Sequence, residues 1–127
     1  RALISNESSS YEYLHYNESA VNCISSEKRT EIDKKYKLLK TEKINSLKLS
    51  DVFSSAKIPE SGIDVLDVDC EGHDLSVLQS NDWDQYRPKV ILAEENEENE
   101  TSILTYLENL HFSLILRLNN TLVFRRK

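Results

Sequence analysis

The sequence predicts an α/β fold in which parallel strands linked by helices are followed by an antiparallel hairpin, and two observations lead to this prediction. From Ile63 onward, short apolar runs alternate with segments whose apolar residues recur at helical spacing, which is the pattern of parallel strands linked by helices. The chain then closes with two apolar runs joined by two asparagines, a pattern typical of a β-hairpin. The predicted order β-α-β-α-β-β corresponds to the second half of a doubly wound sheet.

Each element of this second half has its own signal. The run IDVLDV at Ile63–Val68 is rich in β-branched residues and predicts a buried strand. After Gly72 the segment DLSVLQS predicts a helix, and KVILAE at Lys89–Glu94 is too short for most helices and predicts a second strand. A polar connection is predicted between them, at 82–88. The segment NETSILTYLENL predicts a helix with one apolar face, and FSLILRL and TLVFRR predict the two hairpin strands.

The first third of the chain gives fewer structural signals. Residues 1–43 form a variable polar segment, in which YEYLHY at Tyr11–Tyr16 is an apolar and aromatic patch without an assigned element. The segment YKLLKTEKI, beginning at Tyr36, predicts a strand. Ser50 predicts the N-cap of a short helix, because a serine hydroxyl accepts from the free amides of a first turn.

Length and charge restrict the possible functions. The chain has 127 residues, 39% of them hydrophobic, which suffices for one modest core. Its net charge is −6, so a surface for nucleic acid or for an anionic membrane is not expected, because such surfaces need clustered lysines and arginines. The most acidic segment, EENEENE at Glu94–Glu100, is typical of a solvated loop or helix start.

The cysteines and the hydropathy of the sequence indicate the cellular compartment in which the protein is expected. Cys23 and Cys70 lie in no spacing that suggests zinc, and two unpaired buried thiols in a reducing environment are expected. No apolar run reaches 18 residues, and the first residues show no signal-peptide pattern. We therefore predict a cytoplasmic protein that does not cross a membrane. Because the sequence begins RALISNESSS, without methionine, we also expect it to be part of a longer chain.

Several carboxylates interrupt the most strand-like segment of the sequence. Side chains alternate along a strand, so Asp67, Asp69 and Glu71 are expected on one side, with Leu66, Val68 and Cys70 on the other. Neighbouring carboxylates raise one another's pKa unless a proton, a cation or hydrogen-bond donors compensate. Ligands of such sheets bind outside the carboxyl ends of the strands, where these acids fall. The pattern therefore predicts a ligand site with a positive or donor group.

Other interpretations of this segment remain open. Asp74 either belongs to the site or caps the helix that follows Gly72. His73 is either a general base or ligand, or bonds only to the backbone. The run DVDCEGHDLSVL is similar to a calcium loop in its first six positions, but Leu78 stands where the bidentate glutamate is needed, so calcium of that kind is not expected.

The segment IDVLDVDCEGHDLSVLQSNDWDQYRPKVILAE resembles the FkbM family of S-adenosylmethionine-dependent methyltransferases. The resemblance depends on a D-x-E-G-H-[DE]-L-x-V-L signature, formed here by Asp69, Glu71, Gly72, His73, Asp74, Leu75, Val77 and Leu78. It continues through SNDW and YRPKVIL to Glu94, and more weakly upstream through RALIS and KTEKINSLKLSDVF. Residues 44–127 are therefore the best-matching part of the chain.

The resemblance implies a Rossmann-like class I methyltransferase fold and transfer of a methyl group from S-adenosylmethionine to an acceptor oxygen, often on a sugar or a polyketide. The acceptor would be a small molecule or a glycan. By the same resemblance, the expected catalytic residues are Asp69, Glu71 and His73. The expected cofactor-binding residues are Asp67 and Asp69, and the expected substrate-binding residues are Glu71, Asp74 and Glu94. A divalent metal is left open, without assigned ligands, and Asp67 adds negative charge where many relatives have none.

One departure from the family concerns glycine. The whole sequence contains only Gly62 and Gly72, so the glycine-rich loop that holds the cofactor in this fold class is missing. We therefore expect the 127 residues to be a single partial domain, the C-terminal half of a class I sheet that ends in an antiparallel hairpin. We expect this chain alone to be inactive.

Two alternatives stand beside the methyltransferase interpretation. One is a non-catalytic remnant or interaction module, which would form homo-oligomers through the exposed edge of its incomplete sheet. The other is a metal-dependent hydrolase built on Asp67, Asp69, Glu71 and Glu94.

Overall fold

The structure is a computed structural model that describes residues 3–7, 9–24, 29–59, 62–70, 72–94 and 100–127, with the backbone alone at positions 29, 100 and 101. The described chain contains two four-stranded sheets and four α-helices, so the predicted α/β class is confirmed. It divides into two compact units. The first contains most of the chain up to Ser46, and the second is made of Ile4–Glu7 and Leu47–Lys127.

The first unit contains most of a four-stranded sheet with the strand order β1-β4-β2-β3, in which β2 pairs antiparallel with both β3 and β4. Its strands are β1 (Leu3–Ile4), β2 (Ser10–Tyr16), β3 (Cys23–Ile24) and β4 (Leu38–Leu47), and its α-helix is α1 (Arg29–Asp33). Strand β4 confirms the strand predicted from Tyr36. Strand β2 coincides with the YEYLHY patch, to which no element was assigned.

Alternation explains why β2 forms. Leu14 and Tyr16 are buried, whereas His15 between them is more exposed. One side of the strand therefore faces the small core of this unit. The Tyr16 hydroxyl donates to a carboxylate oxygen of Asp33 at 2.8 Å, which gives its polar tip a partner. The pairing partner β4 begins more than 20 residues later, which is why local sequence signals did not reveal the strand.

The second unit contains the predicted β-α-β-α-β-β series, preceded by a short helix. Its elements are α2 (Leu49–Ser55), β5 (Val65–Val68), α3 (Asp74–Gln79), β6 (Val90–Glu94), α4 (Glu100–Asn109), β7 (Phe112–Leu118) and β8 (Thr121–Arg126). The sheet has the order β5-β6-β8-β7. Strands β5 and β6 are parallel, and β8 pairs antiparallel with both β6 and β7. The predicted hairpin is therefore confirmed, and Asn119 in its turn has a φ of 50°.

The core lies on one face of this second sheet. Ile91 pairs with Phe124, and Ala93 pairs with Leu122, and all four side chains are fully buried. Helix α4 adds Ile103 and Leu107 to the same core, while α2 and α3 supply Leu49, Val77 and Leu78. The apolar stripe predicted for α4 is thus the face that packs on the sheet.

The opposite face of the sheet is partly open to solvent. Val65 is 57% exposed, and Leu116 and Leu118 of β7 are 48% and 56% exposed. Strand β5 was predicted to be a buried strand, and this is true of one face only, because Val65 and Asp67 are exposed whereas Val68 is buried. Within the described chain, β5 is also an edge strand, because its single neighbour in the sheet order is β6.

Helix α2 begins earlier than predicted. Its N-cap is Lys48 and its first residue is Leu49, so the prediction of Ser50 as N-cap is wrong. Leu49 is buried in the core, and its backbone N–H donates to the Ser80 hydroxyl at 3.0 Å. A serine 31 positions away therefore satisfies the first free amide of the helix, and Ser50 instead donates its hydroxyl to the Ser80 carbonyl oxygen at 3.3 Å.

The connection from α3 to β6 is not the polar loop that was predicted. Asn81, Trp83, Tyr86 and Pro88 are all buried. The Trp83 indole N–H donates to the Leu78 carbonyl oxygen at 3.1 Å and to the Tyr106 hydroxyl at 2.9 Å. This segment is therefore part of the core. The Asn81 amide nitrogen donates to the Tyr86 carbonyl oxygen at 2.8 Å, whereas the Asn81 Oδ1 atom is buried without a hydrogen-bond partner among the described residues.

Of the helices in the described ranges, none has the length and apolar character that a membrane span requires.

We expect Tyr106→Phe to lower the free energy of unfolding by about 1 kcal/mol, because Trp83 loses one of two acceptors. The matched control is Tyr86→Phe, which removes a hydroxyl that forms no hydrogen bond within the described residues and is therefore expected to change stability by less than about 0.5 kcal/mol. Urea unfolding measures both variants, with fluorescence of Trp83, the single tryptophan, as the signal. Equal losses for the two variants would contradict the assigned role of the Trp83–Tyr106 contact.

Candidate active site at the strand ends

A tight turn connects β5 to α3. The His73 amide donates to the Cys70 carbonyl oxygen at 3.1 Å, and the helix starts at the next residue. Gly72 within this turn has a φ of 95°, a backbone conformation that a side chain disfavours. Glycine at this position therefore permits the chain to reverse directly from the end of β5 into the helix.

The predicted alternation along β5 is confirmed. Asp67 and Asp69 are exposed, Val68 is buried, and Leu66 and Cys70 are half-buried. Within the part of the chain that the structure describes, neither the Asp67 nor the Asp69 carboxylate forms a hydrogen bond or an ion pair. Both carboxylates are thus available to a ligand at the carboxyl end of the strand.

Glu94 lies at the same edge of the sheet. In the parallel pair, Val68 is opposite Ala93, so Asp69 and Glu94 are the next residues along their strands. Carboxyl ends of parallel strands meet at one edge, where ligands of such sheets bind. Glu94 is half-buried as the last residue of β6. The fold therefore brings two predicted site residues, Asp69 and Glu94, to neighbouring strand ends.

Asp74 is buried between these elements. Its side chain has 0% exposure, and its Oδ1 accepts from the Glu94 backbone N–H at 3.1 Å. Its Oδ2 has no hydrogen-bond partner among the residues that the structure describes. The N-cap of α3 is His73, so the interpretation of Asp74 as the cap is wrong. The carboxylate instead connects the first turn of the helix to the end of β6.

The remaining predicted site residues fall in different places. His73 is exposed, and its side chain makes no capping hydrogen bond. Its backbone groups bond to Cys70 and Val77. Glu71 lies outside the described residues, so its predicted catalytic and substrate-binding roles remain predictions.

Asp64 is separated from the site although it belongs to the same segment. It precedes β5, at the other end of the strand, and accepts from the Lys89 ammonium at 2.5 Å. The hydrogen bond and the charge of Lys89 hold the pKa of the Asp64 carboxyl below its ordinary value. This acid is therefore paired and exposed, and it serves as a natural control for the acids at the opposite end.

Cys70 lies among the carboxylates of the site. Burial raises the pKa of its thiol above the ordinary value, and the negative charges of Asp74 and then Asp69 raise it further. Neither Cys70 nor Cys23 forms a disulfide within the described chain. A neutral thiol is therefore the state of Cys70 near pH 7, which does not favour it as a nucleophile.

The described residues give no metal centre. In ranges 3–7, 9–24, 29–59, 62–70, 72–94 and 100–127, no three histidine, cysteine, aspartate or glutamate side chains are grouped to hold an ion. The metal-dependent hydrolase alternative also required Glu71, which is outside these ranges.

A groove of about 410 Å³ lies away from the acids, on the helical side of the second unit. It is lined by Leu75, Gln79, Ser102, Thr105, Tyr106 and Asn109. The titratable side chain among them is Tyr106, whose pKa is raised by burial, and the carboxylates at the strand ends do not line this groove. The described residues do not enclose Asp67 and Asp69, which face solvent.

Sequence reasoning missed the bond between Asp74 and Glu94. The two residues are 20 positions apart, and the bond joins a side chain to a backbone amide. A backbone donor carries no sequence signature, so only the packing of α3 against the end of β6 reveals it.

We expect the alkylation rate of Cys70, measured with iodoacetamide in a Cys23→Ser background, to have its midpoint above the ordinary thiol pKa, because the thiolate is the reactive form. Asp69→Asn should move the midpoint to lower pH by removing one negative charge. Asp67→Asn is the control and should leave it unchanged, since Asp67 does not contribute to the shift. A midpoint at or below the ordinary value would contradict the burial and charge of this site.

The family of the methyltransferase FkbM domain matches residues 1–114. No curated protein and no solved structure matches the chain. The match covers most of the 127 residues, including β5, the turn, α3 and β6, which carry Asp69, His73, Asp74 and Glu94. The chain belongs to the FkbM methyltransferase domain family.

Proposed function

We propose that this chain forms the acceptor side of an S-adenosylmethionine-dependent methyltransferase, which methylates a hydroxyl oxygen of a sugar or another small molecule. The observation that supports the proposal most directly is the position of Asp69 directly after a parallel strand, where its exposed carboxylate has no partner among the described residues. Membership of the FkbM domain family supports methyl transfer as the reaction.

The reaction needs a base and correct alignment. In an in-line displacement, S-adenosylmethionine, held by residues such as Asp67 and Asp69, would supply the methyl group to the acceptor oxygen and would leave as a neutral thioether. The hydroxyl proton must leave the acceptor, and a carboxylate or an imidazole can accept it. Asp69 and His73 are the candidates for this role, because both are exposed at the turn after β5. Glu94 and Glu71 would orient the acceptor.

The residues of this chain fit only part of S-adenosylmethionine. S-adenosylmethionine would supply the electrophilic methyl group, and carboxylates such as Asp67 and Asp69 suit its hydroxyl and ammonium donors. A glycine-rich loop, which would approach the cofactor with its backbone, is missing because the sequence has only Gly62 and Gly72. We propose that the second unit is the C-terminal half of a class I sheet, which is supported by its parallel β5–β6 pair and terminal antiparallel hairpin.

In a polypeptide that combines this chain with a glycine-rich cofactor loop, we expect Asp69→Asn to lower kcat by about 10²- to 10⁴-fold, because a general base is lost. His73→Gln, measured in parallel, assigns the base to the variant with the larger loss. The assay follows transfer of a tritiated methyl group to a panel of sugars and other hydroxyl compounds.

Asp64→Asn is the matched control, because Asp64 lies at the opposite end of the same segment and is paired with Lys89. Its kcat should equal that of the unmodified enzyme. If Asp69→Asn and His73→Gln both retain kcat within about threefold, the strand-end groups do not provide the base.

For the 127-residue chain alone, we expect isothermal titration calorimetry with S-adenosylmethionine to show no measurable binding. The physical reason is the missing glycine loop, without which the ribose and amino-acid parts of the cofactor have no backbone cradle. Tight binding would show that residues of this chain hold the cofactor by another arrangement.

A second candidate function is a non-catalytic module that associates with a second copy of itself. The specific observation in its favour is the edge strand β5, where Val65 is 57% exposed beside unpaired backbone groups. Size-exclusion chromatography over a range of concentrations tests it. Pairing through β5 predicts a dimer that Val65→Lys dissociates and that Leu118→Lys, on the other edge strand, leaves intact. A monomer at every concentration would eliminate this candidate.

A further inference from the structure

Asp74 presents an energetic problem. It is a carboxylate with 0% exposure that makes one hydrogen bond within the described ranges of the chain, where its second oxygen has no partner. Burying a charge with incomplete hydrogen bonding is unfavourable, and an asparagine would supply the same acceptor without the charge. Helix capping does not explain the residue either, because His73 is the N-cap of α3.

The bond of Asp74 reaches a particular point of the sheet. The last pair between β5 and β6 is Val68 with Ala93, and the next amide of β6 belongs to Glu94. On its other side, Glu94 still pairs with Thr121 of β8. After β5 turns away at Gly72, the side chain of Asp74 takes the Glu94 amide at 3.1 Å. The carboxylate therefore continues the hydrogen bonding of β6 for one residue beyond its parallel partner.

We propose that Asp74 is a positioning residue for Glu94, holding the end of β6 against the first turn of α3. Fixing this amide fixes the backbone from which the Glu94 side chain projects, next to the end of β5 that carries Asp69. The consequence for acceptor binding rests on the proposed function, whereas the structural link from Asp74 to Glu94 does not. In this arrangement Asp74 itself does not touch the acceptor, because it is buried.

Amide hydrogen exchange measured by NMR on the 127-residue chain tests the link. In Asp74→Ala the Glu94 amide should lose protection by about tenfold or more, because its acceptor is gone. In Asp74→Asn, whose amide oxygen can occupy the place of Oδ1, protection should remain within about threefold of the unmodified chain. The amide proton shift of Glu94 should likewise move in the alanine variant and be largely restored in the asparagine variant.

Two internal controls separate positioning from general destabilisation. The Leu122 amide, in the central strand β8 with a fully buried side chain, should keep its protection in both variants. Asp64→Ala removes an exposed acid at the other end of the segment and should leave the Glu94 amide unchanged. Trp83 fluorescence reports whether each variant is folded.

The proposal is overturned if the Glu94 amide stays protected in Asp74→Ala, or if a folded Asp74→Asn variant loses about tenfold or more of the protection that the Glu94 amide has in the unmodified chain. The second result remains decisive even if the alanine variant fails to fold. A failure to detect methyl transfer would count against the proposed function and would leave these exchange results unaffected.

Discussion

The alternation of side chains along β5 is the constraint on which the rest of the site depends. Leu66 and Val68 must pack on the core formed with Ile91 and Ala93, and this packing fixes the direction of every neighbour along the strand. A shift of one residue in the register of β5 would bury the carboxylates of Asp67 and Asp69 and expose the aliphatic side chains. Hydrophobic burial, with no contribution from the acids themselves, therefore sets the acids at the solvent side of the strand end.

The turn after β5 connects the strand directly to helix α3, so the packing of the strand also positions the helix. Gly72 permits the reversal, and Leu78 and Val77 then anchor α3 in the same core. With the helix fixed, Asp74 lies against the end of β6 and bonds to the Glu94 amide. Burying the Asp74 carboxylate lowers stability, and the packing around it offsets this loss. Polar groups that lower stability are common at sites where function requires them. Asp69, Asp74 and Glu94 are thus placed by one connected set of contacts.

Much of the second unit could be predicted from the sequence because its signals are local. Helices α3 and α4 have apolar residues at helical spacing, and the hairpin is marked by two asparagines between apolar strands. The misses have nonlocal causes. Strand β2 needs its partner β4, the start of α2 depends on Ser80, and the segment around Trp83 is buried by neighbours that its polar composition does not indicate. At the site, Asp69 and Glu94 could be predicted from the rule on strand ends, whereas the role of Asp74 required the Glu94 amide to be located.

The central claim is that the carboxylate at the end of β5 faces the acceptor during methyl transfer. The most direct measurement is the distance between the Asp69 carboxylate and the acceptor hydroxyl in a crystal structure of the cofactor-competent polypeptide with S-adenosylhomocysteine and acceptor bound. The claim predicts a separation within hydrogen-bond reach, about 2.6 to 3.2 Å. An acceptor bound elsewhere, with the Asp69 oxygens surrounded only by water, would contradict it.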